Sequence, residues 1–319
     1  MTRLTRRSFG LSALALAALA GAPLRAETVS TLKIGYQKTN LPVIAQRQRS
    51  LETALAPLGV TVDWVQFAAG PPLVEALNVG AIQLGWTGDA PPIFGQSSGA
   101  AISYVAALPP NGAGEAIIAR PDSGIATLAD LRGRKVAVGK GTSAQNLLIA
   151  ALEAHGLAFR DVEPVFLGPA DAAAAFGSGA VDAWSIWDPF LAIAEVTHKP
   201  VVLIRAPEVL RVNTWFLANR DFAAEATNTP VIEAVLAALK AAASWADSHR
   251  AEVAQALHEV TGVPIAAQTL AADRAQFGIF EITPEILAAQ QDTADRFFRL
   301  GLIPTAITVS DALWTPAKG

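Results

Sequence analysis

The sequence predicts an α/β fold of two similar lobes, each a mixed, mostly parallel sheet flanked by helices, with a ligand cleft between them. Two observations carry this expectation. Beyond residue 26, short apolar strand patterns alternate with helical patterns of ~10–15 residues, the order expected of βαβ units. The same order then recurs in a second block that starts at Lys135. A chain of 319 residues, 52% hydrophobic, is also long enough for two cores rather than one.

The first block opens with a strand pattern over 32–36. A helical pattern follows over 43–58 and stops at Gly59. Then come a strand at 60–65, a helix at 71–78, a strand at 82–86 and a helix at 91–98. The second block runs strand 135–138, helix 143–155 closed by Gly156, strand 163–167, helix 170–176, strand 181–184 and helix 189–196. The correspondence reaches single residues. VGAIQLGWTGDAPP (79–92) echoes SGAVDAWSIWDPF (178–190), pairing Gly80 with Gly179 and Asp89 with Asp188. A further strand pattern spans 214–218, and helical patterns at 231–248, 250–260 and 284–300 are expected to pack on one lobe. The chain should leave lobe one near Glu115 and return near Asn213. Residues 27–114 and 214–319 then form lobe one, residues 115–213 form lobe two, and two crossings make a hinge.

Thr5-Arg6-Arg7-Ser8-Phe9 precedes a short apolar run, and Leu24-Arg25-Ala26 follows it. Paired arginines, a run too short for a bilayer span of ~20 residues and a small residue at a cut site read as a cleaved twin-arginine signal over 1–26. This segment holds Arg3, Arg6, Arg7 and Arg25 and no acid, so its loss takes the net charge from −4 to about −8. A periplasmic location is expected, with no attraction to nucleic acid, and a monomer. The 0 Cys exclude thiolate metal sites and cysteine nucleophiles. No cofactor is expected.

An acidic protein that binds an anion must hold it locally, against its own long-range field. Lys135 to Leu152 supplies a candidate device: a strand runs through Gly139-Lys140-Gly141-Thr142-Ser143 into a helix. A glycine stands where a phosphate-binding loop needs a hydroxyl after its lysine, so nucleotide hydrolysis is not expected. What is left is a helix start whose free N–H groups, aided by roughly half a positive charge, suit an anion. Gly141, Thr142 and Ser143 are therefore candidates, although each hydroxyl could equally be a plain cap. Gln37, after the first strand, can donate and accept. Trp86-Thr87-Gly88-Asp89-Ala90-Pro91-Pro92 opens a second helix. There Gly88 permits close approach, Asp89 reads as the cap, and the backbone of Asp89 and Ala90 is expected to do the binding. Trp187 could cover an apolar tail or pack in the core, and Asp188 could be a ligand contact or a cap. His155, His198, His249 and His258 lie apart from one another and show no metal spacing.

The segments IGYQK, GDAPPIFGQ, GKGTSAQNLL, DAWSIWDPF and TWFLANRDF, in this order, resemble the aliphatic-sulfonate-binding proteins of ABC importers, and ITPEILAAQQDTADRFFRLGLIP resembles that family's C-terminal segment. The resemblance implies a type II periplasmic binding fold that closes around a sulfonate and delivers it to a membrane permease. It also implies ligand contacts at Gln37, at Gly88, Asp89 and Ala90, at Gly141, Thr142 and Ser143, and near Trp187 and Asp188. Where the family often has Ser-Ser-Ala-His, this chain has Thr142-Ser143-Ala144-Gln145. Relatives for taurine, nitrate or a thiamine precursor share GDAPP-like loops and stand as alternatives. An enzyme on the same fold would need Asp89 and Asp188 as a titratable pair in the cleft.

Overall fold

The structure, a computed structural model, describes residues 29–110, 112–211 and 213–316. The expected signal, 1–26, lies outside them. The elements in order are β1 (Thr31–Tyr36), α1 (Asn40–Gln48), α2 (Ser50–Leu55), β2 (Thr61–Gln66), α3 (Gly70–Asn78), β3 (Leu84–Thr87), α4 (Ala90–Ser97), β4 (Ile102–Leu108) and β5 (Glu115–Ala119). Then follow β6 (Lys135–Val138), α5 (Ser143–Ala154), β7 (Glu163–Phe166), α6 (Pro169–Ser178), β8 (Ala183–Trp187), α7 (Phe190–His198), β9 (Val201–Arg205) and β10 (Thr214–Asn219). The chain ends with α8 (Arg220–Ala224), α9 (Thr229–Ser248), α10 (Arg250–Thr261), α11 (Ile265–Arg274) and α12 (Pro284–Arg299).

Two five-stranded sheets result, in the orders β2-β1-β3-β10-β4 and β7-β6-β8-β5-β9. They are built on one plan. In each, four strands share one direction, and the antiparallel strand, fourth in the order, is the one that enters after a crossing between lobes. Thus β10 does in the first sheet what β5 does in the second.

The helix predicted over 43–58 is instead broken. α1 stops at Arg49, which adopts φ 55°, and α2 resumes at Ser50 before a short turn ends at Gly59, φ 71°. Arg49 makes the bend without the glycine that would have marked it in the sequence.

Three apolar clusters hold the lobes. On one face of the first sheet, Val231, Ile232 and Val235 of α9 pack with Leu51 and Leu55 of α2. On its other face, Leu73, Ile93 and Phe297 bring α3, α4 and α12 together. Ile149 of α5 joins that same cluster from across the cleft. The second lobe is built around Trp184, Phe176, Leu147 and Leu191. α9, α10 and α12 pack on the first lobe, and α11, which no sequence pattern marked, bridges from α10 to the second lobe. Its Ala267 and Ala271 bury against Ala192 and Ile193 of α7, on the second lobe. The small residues of α11 give that helix a flat apolar face, which α7 matches.

Candidate functional site

β3, third in the first sheet, and β6, second in the other, each deliver their carboxyl end to a helix start, α4 and α5 respectively. In open α/β sheets ligands bind at such ends. Here the two starts meet. A Cβ added to Gly88 would lie 3.0 Å from the Ser143 Cβ, so the lobes are in contact at this point. Beside the contact is a narrow crevice, lined by Gln37, Gly70, Trp86, Thr87, Gly88, Pro91 and Thr214 from the first lobe and Thr142, Ser143 and Trp187 from the second.

The wall of the first lobe is held in place by its own hydrogen bonds. The Trp86 indole donates to the Thr214 hydroxyl at 3.2 Å, and that hydroxyl donates to Pro109 O at 3.2 Å. Gln37, only 7% exposed, reaches Trp86 O at 3.5 Å, a weak bond that leaves its amide available. The Thr87 hydroxyl is buried and has no partner among the described residues. Gly70 makes room for it, since a Cβ there would stand 2.0 Å from the Thr87 Oγ1.

On the second lobe, Thr142 is the N-cap residue of α5 by its dihedrals, but its hydroxyl does not cap the helix. It donates to Gly139 O at 2.7 Å. Ser143 sits in the first turn, half-buried, and its hydroxyl has no partner among the described residues. The α5 start with the Ser143 hydroxyl and the Gln37 amide border the crevice as neutral donors, and the Thr87 hydroxyl lies buried in its lining. Among the described residues, no Lys, Arg, Asp or Glu lines it.

Four expected contacts lie differently. Gly141 does not line the crevice, and its N–H donates to the Gln145 Oε1 at 2.6 Å, so that amide is already used. Its would-be Cβ rests 3.6 Å from Pro71 instead. Asp89 and Ala90 are buried behind the crevice. The Asp89 carboxylate accepts from the Asn146 amide of α5, and its own N–H and that of Ala90 also favour its ionised form, so these N–H groups serve the carboxylate rather than the crevice. Pro91 and Pro92 have no N–H to add. Burial still dominates and raises the Asp89 pKa from 3.8 to about 6. Asp188 is committed elsewhere too. Its carboxylate takes two hydrogen bonds from Arg274, at 2.6 and 2.7 Å, and caps α7 through Ala192 N at 3.0 Å. Burial opposes the charge on Arg274, but hydrogen bonds to Asp188 and Glu195 outweigh it and raise the Arg274 pKa.

Trp187 is 8% exposed and packs in the second core, and it also lines the crevice and a second chamber. Gln37 and Trp187 are common to the two spaces. The chamber wall is largely carbon: Phe67 and Ala68 from one lobe, Pro169, Pro189 and Phe190 from the other, with Lys38 the only charged lining residue among the described residues. Sequence reasoning singled out neither Thr87 nor Phe67 and Phe190. Thr87 had a signal, its place beside Gly88 at a strand end.

This geometry has known counterparts. The NMT1/THI5-like family model matches residues 57–253. The chain belongs to the NMT1/THI5-like family. The alkanesulfonate-binding protein SsuA from Xanthomonas axonopodis pv. citri, solved bound to MOPS, superposes on this NMT1/THI5-like chain with a TM-score of 0.86 at 36% identity, over 91% of this chain and 99% of that one. The periplasmic aliphatic sulphonate binding protein SsuA from Escherichia coli gives a TM-score of 0.83 at 38% identity, over 92% and 94% of the two chains. The desulfurization enzyme DSZB shares the fold alone, with a TM-score of 0.66 at 18% identity over 89% and 96%.

Proposed function

We propose that this chain is a periplasmic substrate-binding protein that captures aliphatic and other organosulfonates and delivers them to an ABC permease in the inner membrane. In this reading it works as a monomer, without a cofactor and without chemistry of its own, and residues 1–26 are a twin-arginine export signal that is removed. Lobe one is 27–114 with 214–319, and lobe two is 115–213, in keeping with the membership of the two sheets. Gln37, Gly88, Thr142, Ser143 and Trp187 touch the ligand, joined by Thr87. Gly141, Asp89, Ala90 and Asp188 act behind them.

The observation that carries the reading is a crevice of neutral donors, free of any lining charge, that opens into an apolar chamber. A sulfonate is a permanent monoanion with three acceptor oxygens. It needs several donors and no proton acceptor. A doubly charged phosphate ester would call for an arginine clamp. Nitrate would leave the chamber empty. Taurine's ammonium requires a carboxylate, and no acid lines either space, while Asp188 is held by Arg274. A micromolar constant corresponds to about −8 kcal/mol. Charge-assisted hydrogen bonds of ~1.5–3 kcal/mol each, with tail burial, reach that after the costs of association. A catalytic reading is disfavoured for a specific reason: the two acids it needs face Asn146 and Arg274 rather than one common space.

Calorimetric titration with methane-, hexane- and benzenesulfonate, taurine, nitrate and sulfate tests the proposal. Micromolar binding of hexane- or benzenesulfonate, with taurine and nitrate far weaker, is the expected result. No heat with any sulfonate, or turnover of a bound one, would overturn it.

A further inference from the structure

The two lobes are joined by two crossings and touch again at Gly88–Ser143, beside the crevice, so parting them widens it. Two polar networks span the lobes away from the crevice, and they differ in burial. One joins Arg274 of α11 to Asp188 and Glu195, with side chains only 11–15% exposed. The other lies along one stripe of α5. Asn146, Ile149 and Glu153, spaced i, i+3 and i+7, all face the first lobe. Asn146 is fully buried, donates to the Asp89 carboxylate and accepts from the Arg296 guanidinium of α12 at 3.1 Å. Ile149 packs into the first lobe's cluster. Glu153, with a side chain 33% exposed, pairs with Arg296 at 3.4 Å and Arg299 at 3.3 Å.

Resting on the binding-protein reading, we infer that the Asp89–Asn146–Arg296–Glu153–Arg299 chain is a latch that holds the lobes closed, with Asn146 and Glu153 as positioning residues that set how long a ligand stays. The division of labour follows from solvent exposure. A buried pair such as Arg274–Asp188 is too costly to break during a binding cycle and acts as a pin. A half-exposed pair is weak and screened, so it can open and reclose. The latch reports occupancy of the crevice because its buried end lies on the same two helix starts. Asp89 directly follows Gly88, and Asn146 lies one turn beyond Ser143.

The test uses Glu153→Gln in the full mature chain. Stopped-flow tryptophan fluorescence with hexanesulfonate is expected to show dissociation faster by about threefold to tenfold, with association little changed. Raising salt should speed dissociation in the wild type and have less effect in the variant, which a merely structural role would not produce. The native chain has 0 Cys, so spin labels introduced at Val79 and Ser178, exposed and equivalent in the two lobes, read the lobe separation without ligand. The variant should lose short-distance population. Equal dissociation rates, equal salt slopes and superimposable distances would overturn the latch while leaving the binding reading intact. If no sulfonate bound to the wild type, the binding reading would fall, and the ligand-free distances would still decide for or against the latch.

Discussion

Thr87 ends β3 with a buried hydroxyl that no described residue pairs with. Leaving such a group unpaired costs about 1–3 kcal/mol until an acceptor arrives. A sulfonate oxygen is such an acceptor. Thr87→Val, nearly the same in shape, should leave the melting temperature of the free protein equal or higher while weakening hexanesulfonate binding about tenfold. Unchanged affinity in calorimetry would remove Thr87 from the site. Asp89 adds a pH signature. Its folded pKa of about 6 lies above the ordinary 3.8, because burial outweighs the Asn146 hydrogen bond. Between about pH 4 and 6 the native chain holds this proton and the unfolded chain does not, so its contribution to stability falls as pH rises and stays low above about 6. Asp89→Asn should flatten the stability profile by about 2–3 kcal/mol across that window. Urea midpoints at several pH values check this, and parallel profiles would contradict it. At this scale the sequence marks candidate loops more readily than the atoms that face the crevice. Gly88, Thr142 and Ser143 stand out by their type beside a helix start. That the Gly141 N–H is taken by Gln145 depends on a side chain four residues on, which no motif encodes.

At the scale of elements, α5 shows how a helix start is prepared for an anion. Gln145 folds back to accept from Gly141 N–H, which stabilises a loop residue at φ 70° and leaves the following N–H groups for the crevice. Gln145→Ala should strand that N–H and destabilise the chain by about 1–3 kcal/mol, as urea unfolding would measure. A loss below about 0.5 kcal/mol would mean that water replaces the amide without cost. The βαβ elements were legible because period-2 and period-3.6 patterns alternate with glycine stops. β4, β5 and β9 were not. Ile102–Leu108 is buried at every position, and a continuous apolar run carries no period to tell strand from helix. The break at Arg49 left no mark either, because a non-glycine residue adopts the left-handed conformation there.

At the scale of the molecule, the duplicated plan was visible in the echo of 79–92 and 178–190, while the contact of α11 with α7 across the lobes was not, since alanine-rich faces suit many partners. The chamber between lobes predicts selectivity. Trp187→Ala should weaken hexane- and benzenesulfonate more than tenfold and methanesulfonate less than about threefold, because only the longer ligands reach the lost wall. Equal losses for all three would place Trp187 at the head group instead. The Arg274 pin makes the last and sharpest demand. It holds two carboxylates, Asp188 beside the crossing at Gly114 and Glu195 on α7, and Arg205 shares Glu195 at 2.6 Å. Arg274→Met keeps the aliphatic stem but leaves Asp188 buried without its cation. That should cost about 3–5 kcal/mol, far more than an exposed pair, because the remaining buried charge keeps only the Ala192 N–H and no cation. Adding Asp188→Asn to the variant should then recover part of the loss, since the orphaned charge is gone. If the double variant unfolds as readily in urea as the sum of the two single changes requires, the pair is not coupled and the pin is no pin.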